Sequence, residues 1–199
     1  MAKKVNIADT LIAEELGEST PELPDDMAPW MRRTILVVDG FSSFVGYIVC
    51  FLVLPLIAAM SIEIFMRYFF LQPTVWAYDL SRMMYGAMFM LGAGYALMKG
   101  VHIRADFLYR LWPARVQAGV DLGLYLVLYF PSLIVFLWYS LDFAQTAWMR
   151  GERGMDTAWM PYLAPVKTAL AAGIALLLIQ GISEVLKCWY ALRKGRWPA

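Results

Sequence analysis

The chain has 199 residues, of which 61% are hydrophobic and 17% charged, and its mean hydropathy is +0.57. Soluble domains average ~45–50% apolar and ~25% charged residues, so this composition indicates an integral membrane protein. The 17 basic and 16 acidic residues nearly balance, which excludes a strongly basic nucleic-acid-binding protein. One histidine and two cysteines exclude a bis-histidine haem bundle, a zinc cluster and a disulfide scaffold, so no cofactor or metal is predicted.

Four runs of the sequence are long and apolar enough to cross a bilayer, which takes about 20 residues in a helix. They are residues 40–62, 76–98, 122–141 and 162–183. We therefore predict an all-α membrane protein with four transmembrane helices. The third helix is expected to begin at Pro113, where a missing N–H is tolerated, and to continue through Pro131 to Arg150.

The distribution of basic residues predicts the orientation of these helices. Lys and Arg collect on the cytoplasmic side of bacterial and eukaryotic membranes. Twelve of the 17 lie in the N-terminal segment, the middle loop and the C-terminal segment, and the remaining five belong to the other two loops. Both termini are therefore expected to be cytoplasmic.

Three regions follow from this division of the chain. Residues 1–34 form an acidic cytoplasmic extension, residues 35–190 a membrane domain of four helices, and residues 191–199 a basic cytoplasmic tail. The first 30 residues carry a net charge of −5. The apolar residues near Ile7 and Leu11 have helical spacing, so a short docking helix and a mobile tail are both open interpretations.

Four charged residues lie where the first predicted helix ends and the second begins. Glu63 and Arg67 are four residues apart, and Asp79 and Arg82 are three apart. The connecting loop is short, so the sequence predicts a four-member ion-pair network that joins the two helices, with Arg82 paired to Glu63 or Asp79. A substrate or proton site is the alternative. The structural interpretation is favoured because the charges lie near the interface and not at mid-membrane.

Small residues recur at four-residue spacing on the second helix, at Gly92, Ala96 and Gly100, and on the fourth helix near Gly173. Such faces let two helix backbones approach closely in lipid. The pattern indicates packing between helices of this chain or against another subunit.

The loop after the third helix reads RGERGMD and contains Arg150, Glu152, Arg153 and Asp156 beside Trp148 and Trp159. Mixed charges flanked by aromatic rings suit a transient encounter with a soluble protein, which charges would steer. A solvated loop without a partner is the equally open alternative. The sole histidine, His102, is interpreted as a hydrogen-bonded loop residue.

Several of these stretches, in order along the chain, resemble the small membrane subunit of tripartite ATP-independent periplasmic (TRAP) transporters. The resemblance covers about residues 35–190. It is carried by Arg67 and Tyr68 closing the first helix, by Trp76, Asp79 and Arg82 opening the second, by Gly100, His102 and Asp106 in the following turn, and by Trp159, Pro161, Pro165 and Gln180 around the last helix. Asp79 stands where the family more often has Glu.

The resemblance implies an accessory scaffold subunit in a bacterial inner membrane, and not an enzyme. Such a subunit works with a large multi-helix permease and a periplasmic substrate-binding protein to import organic acids with sodium. Membrane lipids would surround it. Two other interpretations stay open at this point: a small oligomeric transporter or channel, and a cofactor-binding membrane enzyme.

Overall fold

The computed structural model describes residues 23–24, 26–100 and 112–198. Within these ranges the chain forms helices and no strand, apart from one isolated bridge between Arg153 and Tyr162. The helices are α1 (Pro29–Phe51), α2 (Val53–Phe69), α3 (Ala77–Met98), α4 (Ala114–Leu124), a π-helical turn (Tyr125–Tyr129), α5 (Phe130–Arg150) and α6 (Ala164–Lys194). The prediction of an all-helical protein is confirmed for this part of the chain.

Two prolines explain the irregular points in the long helices. Pro55 has no N–H to donate to the Phe51 carbonyl, and the chain makes a turn at Leu52 that separates α1 from α2. Pro131 likewise cannot donate to Val127, and the π-helical turn ends at Tyr129, two residues before this proline. The helix continues through this point from Ala114 to Arg150, as predicted, although it begins one residue after Pro113.

Helices α3 and α6 form the centre of the bundle. They pack against each other, α1 and α2 lie against α3, and α4 and α5 lie against α6. The α6 residues Ile174, Gln180, Ser183, Cys188 and Ala191 are almost completely buried. Helix α1 also contacts α6, so the first and last helices of the bundle are neighbours.

The bundle has two ends, which we name by their contents. At the terminal end, the segment before α1 contacts the end of α6, where Tyr190 donates a hydrogen bond to Asp26. At the loop end, Arg82 near the start of α3 contacts Asp156 in the loop between α5 and α6. The regular helices reach into both predicted tails, because α1 begins at Pro29 and α6 ends at Lys194.

Three helical stretches of the described chain are long and apolar enough to cross a membrane: Pro29–Phe69, Ala114–Arg150 and Ala164–Lys194. They correspond to the first, third and fourth predicted spans. The second predicted span forms helix α3 with nearly the same bounds, but it is not among the three. Its hydropathy is lowered by Asp79, Arg82 and several glycines and tyrosines.

Candidate functional site

Glu63 is buried near the end of α2. Its carboxylate accepts hydrogen bonds from Arg67 on the same helix and from Thr74 in the segment that follows. Arg67 Nη2 lies 2.6 Å and Nε 3.1 Å from Oε1. The Thr74 amide lies 2.9 Å from Oε2, which also accepts from the Thr74 hydroxyl. This carboxylate therefore fixes the segment between α2 and α3 to the end of α2.

Asp79 is completely buried at the start of α3. Its carboxylate accepts a hydrogen bond from the Thr157 hydroxyl and lies 3.5 Å from Arg82 Nη2. Arg82 also forms an ion pair with Asp156. Asp79 and Arg82 together hold the 151–163 loop against α3. The four charged residues of the predicted network thus divide into two clusters, and no ion pair joins these clusters in the described chain.

The loop after α5 has its own internal structure. Its backbone closes through Gly154 N donating to Pro161 O at 2.8 Å and Leu163 N donating to Glu152 O at 3.0 Å. Glu152 forms an ion pair with Lys167. The Arg153 guanidinium donates to Tyr162 Oη at 2.7 Å and lies 4.4 Å from that ring.

Three of the four charged residues that the sequence suggested for docking therefore have partners within this chain, namely Glu152, Arg153 and Asp156. The side chain of Arg150 is exposed at the end of α5. Met155, at the tip of the loop, is 92% exposed. The surface of this loop thus combines two exposed cations, Arg150 and the Tyr162-bound Arg153, with an apolar tip.

The predicted small residues lie in different environments. A Cβ on Gly173 would stand 2.5 Å from the Met90 carbonyl oxygen, so this glycine lets α6 approach the α3 backbone. Gly92 faces Val49 of α1 at 3.7 Å, and Ala96 is half-buried on the same helix. Gly100 ends α3 with a positive φ of 67° and has no neighbour within 4 Å of a built Cβ. Its role here is to terminate the helix.

A buried polar cluster at the terminal end joins α1 to α6. Asp39 Oδ1 accepts from Gln180 Nε2 at 2.9 Å and from Ser183 Oγ at 2.7 Å. Lys187 Nζ lies 2.9 Å from Asp39 Oδ2 and 2.8 Å from Glu184 Oε1. Ser42 donates to Gln180 Oε1 at 2.6 Å. Every charge in this cluster has an opposite charge or a hydrogen-bond donor beside it.

The sequence analysis did not predict this cluster, although Gln180 was among the residues that carry the family resemblance. A signal was present in the sequence. Asp39 directly precedes the first apolar run, while Glu184 and Lys187 directly follow the last one. Opposite charges at the same end of two helices are candidates for an ion pair once the helices are known to be neighbours.

The segment before α1 is held against the end of α6 by charge and apolar contact. Asp26 accepts a hydrogen bond from Tyr190 at 2.6 Å and lies 3.2 Å from Lys194 and 3.1 Å from Arg196. The hydrogen bond from Tyr190, followed by those from the two cations, lowers the pKa of Asp26 from 3.8 to about 2. Beside it, the apolar residues Leu23, Met27, Met31, Ile35, Leu186 and Tyr190 form a small core. We call this set of contacts the clasp.

His102 and Asp106, the remaining residues singled out from the sequence, lie outside the described residues. Among those that the structure describes, no group of three or more His, Cys, Asp or Glu side chains is arranged to hold a metal ion.

The comparison with protein families matches residues 56–190 to a family described as "Tripartite ATP-independent periplasmic transporters, DctQ component". This range is about two thirds of the chain and includes Glu63, Arg67, Asp79, Arg82, the 151–163 loop and most of α6. The comparison with individually curated proteins gives no significant match. The matched family is a transporter component and not an enzyme family. The resemblance inferred from the ordered motifs is thereby confirmed, and the chain belongs to the DctQ component family, the small membrane subunits of TRAP transporters.

Proposed function

We propose that this chain is the scaffold subunit of a sodium-coupled TRAP transporter that imports organic acids across a bacterial inner membrane. Its partners would be a large multi-helix permease, which carries the substrate and sodium sites, and a periplasmic substrate-binding protein. In this proposal the small subunit contributes stationary helices and binds neither substrate nor sodium.

The observation that carries the scaffold role is the placement of charge along the helices. No charged residue lies between Asp39 and Glu63, between Arg82 and Met98, or between Lys167 and Glu184. The charges that border these stretches pair within the chain, as Asp39 does with Lys187, Glu63 with Arg67 and Lys167 with Glu152. Charged groups at mid-membrane usually mark transport pathways. In α1–α2, α3 and α6 the charges lie at the ends and are paired, which favours a structural role that we assign to Glu63, Arg67, Asp79 and Arg82. Asp142 of α5, unpaired within the described part of the chain, is the exception.

We further propose four membrane crossings with both termini in the cytoplasm. Helix α3 has 22 residues and is about 33 Å long, enough to cross hydrocarbon of ~30 Å. It starts beside Thr157 at the loop end, and near its other end Ser43 donates to Met98 Sδ at 3.4 Å. The clasp brings the start of α1 and the end of α6 together. Four crossings with both termini on one side fit these contacts.

Reconstitution tests the scaffold role. We expect the purified chain alone to give no saturable uptake of organic acids in liposomes. With the large permease, uptake is expected to require both a sodium gradient and the binding protein. Saturable uptake by the chain alone would contradict the proposal, as would uptake by the permease that is unaffected by omitting this chain.

Cysteine labelling in cells tests the topology. In a background with Cys50 and Cys188 changed to Ala, a membrane-impermeant maleimide is expected to label Met155→Cys in intact spheroplasts. The same reagent is expected to reach Arg196→Cys only after permeabilisation. Met155 is 92% exposed and Arg196 is also exposed, so burial in the chain does not limit labelling at either position. Labelling of both positions from outside would contradict four crossings.

The loop end is the surface that we propose for contact with the binding protein. The exposed Arg150 is the informative position, because Arg153 is bound to Tyr162 and its replacement would disturb the loop itself. Arg150→Glu is expected to raise the binding-protein concentration needed for half-maximal uptake, more so at low salt, with normal assembly. Arg33→Glu, a charge reversal at the terminal end, is the matched control. If uptake depends on the binding-protein concentration as it does in wild type, the loop is a solvated surface without this contact.

A further inference from the structure

The outward face of α5 carries polar groups in the middle of an otherwise apolar surface. Trp138, Tyr139, Asp142, Gln145 and Met149 follow helical spacing and are all exposed. Ser140, Ala144 and Ala147 lie on the opposite face and are buried, in keeping with the packing of α5 on α6. We call the exposed set the α5 stripe. It places a carboxylate, an amide and a phenol side by side where the chain itself supplies no cover.

Asp142 lies about two helical turns before the end of α5. Eight residues separate it from Arg150, a distance of about 12 Å along the axis. Six residues, or about 9 Å, separate it from Trp148, whose indole nitrogen donates to Thr168 at the loop end. Tryptophan side chains are enriched at the membrane–water interface. With Trp148 at the interface, Asp142 lies in the hydrocarbon, and the third crossing then extends past residue 141, where the apolar run ends.

A carboxylate at that depth is costly unless it is paired. Three acidic residues at the ends of other apolar helices follow this rule, since Asp39, Glu63 and Asp79 all contact a Lys or Arg. Asp142 forms neither an ion pair nor a hydrogen bond through its side chain with any residue in 23–24, 26–100 or 112–198. Lipid tails cannot supply a donor.

We propose that the α5 stripe is the surface on which a membrane helix of the large permease packs, with a cationic or hydroxyl side chain of that helix donating to Asp142. The inference rests on the proposed function and adds the contact surface and its chemistry. The α1 and α2 surface is a poorer choice because its exposed residues, such as Phe44, Ile48 and Leu54, suit lipid directly. A second copy of this chain is also poorer, because the stripe contains a carboxylate and no cation.

Co-purification tests the proposal. The chain is co-expressed with the large permease, and the amount of permease retained per small subunit is measured for wild type, Asp142→Leu and Asp142→Asn. We expect the apparent affinity to fall about three- to thirtyfold for Asp142→Leu, the range for losing one interhelical hydrogen bond in a membrane. Asp142→Asn keeps an acceptor and is expected to lose less. Phe44→Leu, on the lipid-suited face, is the control and is expected to behave as wild type.

A second measurement tests the same contact without depending on the folding of Asp142→Leu. Spin labels at Gln145→Cys and Phe44→Cys, in the background without native cysteines, are compared in nanodiscs with and without the permease. We expect collisions with oxygen dissolved in the lipid to fall at position 145 on assembly and to stay constant at position 44.

The proposal is overturned if Asp142→Leu retains the permease as wild type does, or if the label at position 145 stays equally accessible in the complex. If the wild-type chain itself does not retain the permease, the proposed function fails and this inference fails with it. The two failures are therefore distinguishable.

Discussion

Gly173 sets the distance between the two central helices through the absence of a single methyl group. A Cβ there would stand 2.5 Å from the Met90 carbonyl oxygen and 2.7 Å from its carbon. The obstacle is backbone, which cannot rotate away as a side chain can. Gly46 and Gly181 also leave no room for a Cβ, but they face the rings of Tyr95 and Tyr129.

Replacing Gly173 by Ala is therefore expected to force α3 and α6 apart and to destabilise the chain by about 1–3 kcal/mol, the usual cost of overpacking. Gly40→Ala is the matched control. Gly40 lies in α1 with nothing within 4 Å of a built Cβ, so a gain of about 0.5–1 kcal/mol in helix propensity is expected. Thermal unfolding in detergent measures both. A Gly173→Ala protein as stable as wild type would show that the helices shift without cost.

Asp39 carries most of the polar connection between α1 and α6. Asp39→Ala would leave Gln180, Ser183 and Lys187 each short of one partner in a cluster whose members are mostly buried. We expect a loss of about 1–3 kcal/mol in the free energy of unfolding. Asp39→Asn retains one acceptor and is expected to lose less. Equal stability of Asp39→Ala and wild type in chemical unfolding would mean that the cluster adds nothing to the packing of these helices.

At the scale of elements, short segments are held to helix ends by charged side chains. The clasp holds the segment before α1 to the end of α6 through Asp26. The Asp79–Arg82 cluster holds the 151–163 loop to the start of α3. In both cases an acidic residue outside the helices binds side chains near a helix end.

The clasp makes a prediction about pH. Because the pKa of Asp26 is lower in the folded chain, its contribution is present above 3.8 and is lost as the pH falls toward about 2. Hydrogen exchange of residues 26–35 is expected to be independent of this group between pH 5 and 8 and to accelerate below pH 4. Asp26→Asn is expected to show the faster exchange already at pH 7. If exchange in that variant matches wild type at pH 7, the charge of Asp26 does not hold the clasp.

Arg82→Ala tests the attachment of the loop. It would leave the completely buried Asp79 without a cation and with Thr157 as its remaining partner, and it would also release Asp156. We expect a destabilisation of about 1–3 kcal/mol and increased proteolysis within the 151–163 loop. Arg82→Lys keeps the charge and is expected to be milder. Unchanged stability together with lost substrate affinity in the assembled transporter would instead indicate a role in binding.

At the scale of the whole molecule, the bundle buries many of its small and polar residues and leaves many of its large apolar ones outside. Phe44, Leu54, Phe89, Val127 and Trp138 are all exposed. Exposure of such a surface to water is unfavourable, whereas lipid tails and partner helices can cover it. The bundle is thus suited to a place between lipid and another membrane protein.

Assembly with the large permease is expected to stabilise the whole chain. A partner that binds only the folded state, at a concentration 100 times its dissociation constant, adds about 2.7 kcal/mol to the free energy of unfolding. We therefore expect the unfolding temperature of this chain to be higher in the co-purified complex than for the chain alone in the same detergent. An identical temperature in both would indicate that the permease is not bound to the folded bundle.

Much of the architecture followed from the sequence because apolar runs of sufficient length form helices in lipid wherever they occur. The bounds of α3 and the continuous helix across Pro131 were both predicted in this way. The ordered residues of the family likewise identified the chain, since they depend on identity and position alone.

The tertiary structure decided which residues meet. Glu63 and Asp79 belong to separate clusters, Asp156 contacts Arg82 across 74 positions, and Asp39 pairs with Lys187. Each of these contacts depends on the rotation of a helix about its axis and on its choice of neighbour. Apolar runs determine neither property, because a lipid-facing and a protein-facing side chain are equally apolar. The apolar runs therefore determined the helices, the ordered motif residues determined the family, and only the packing of those helices decided the polar contacts.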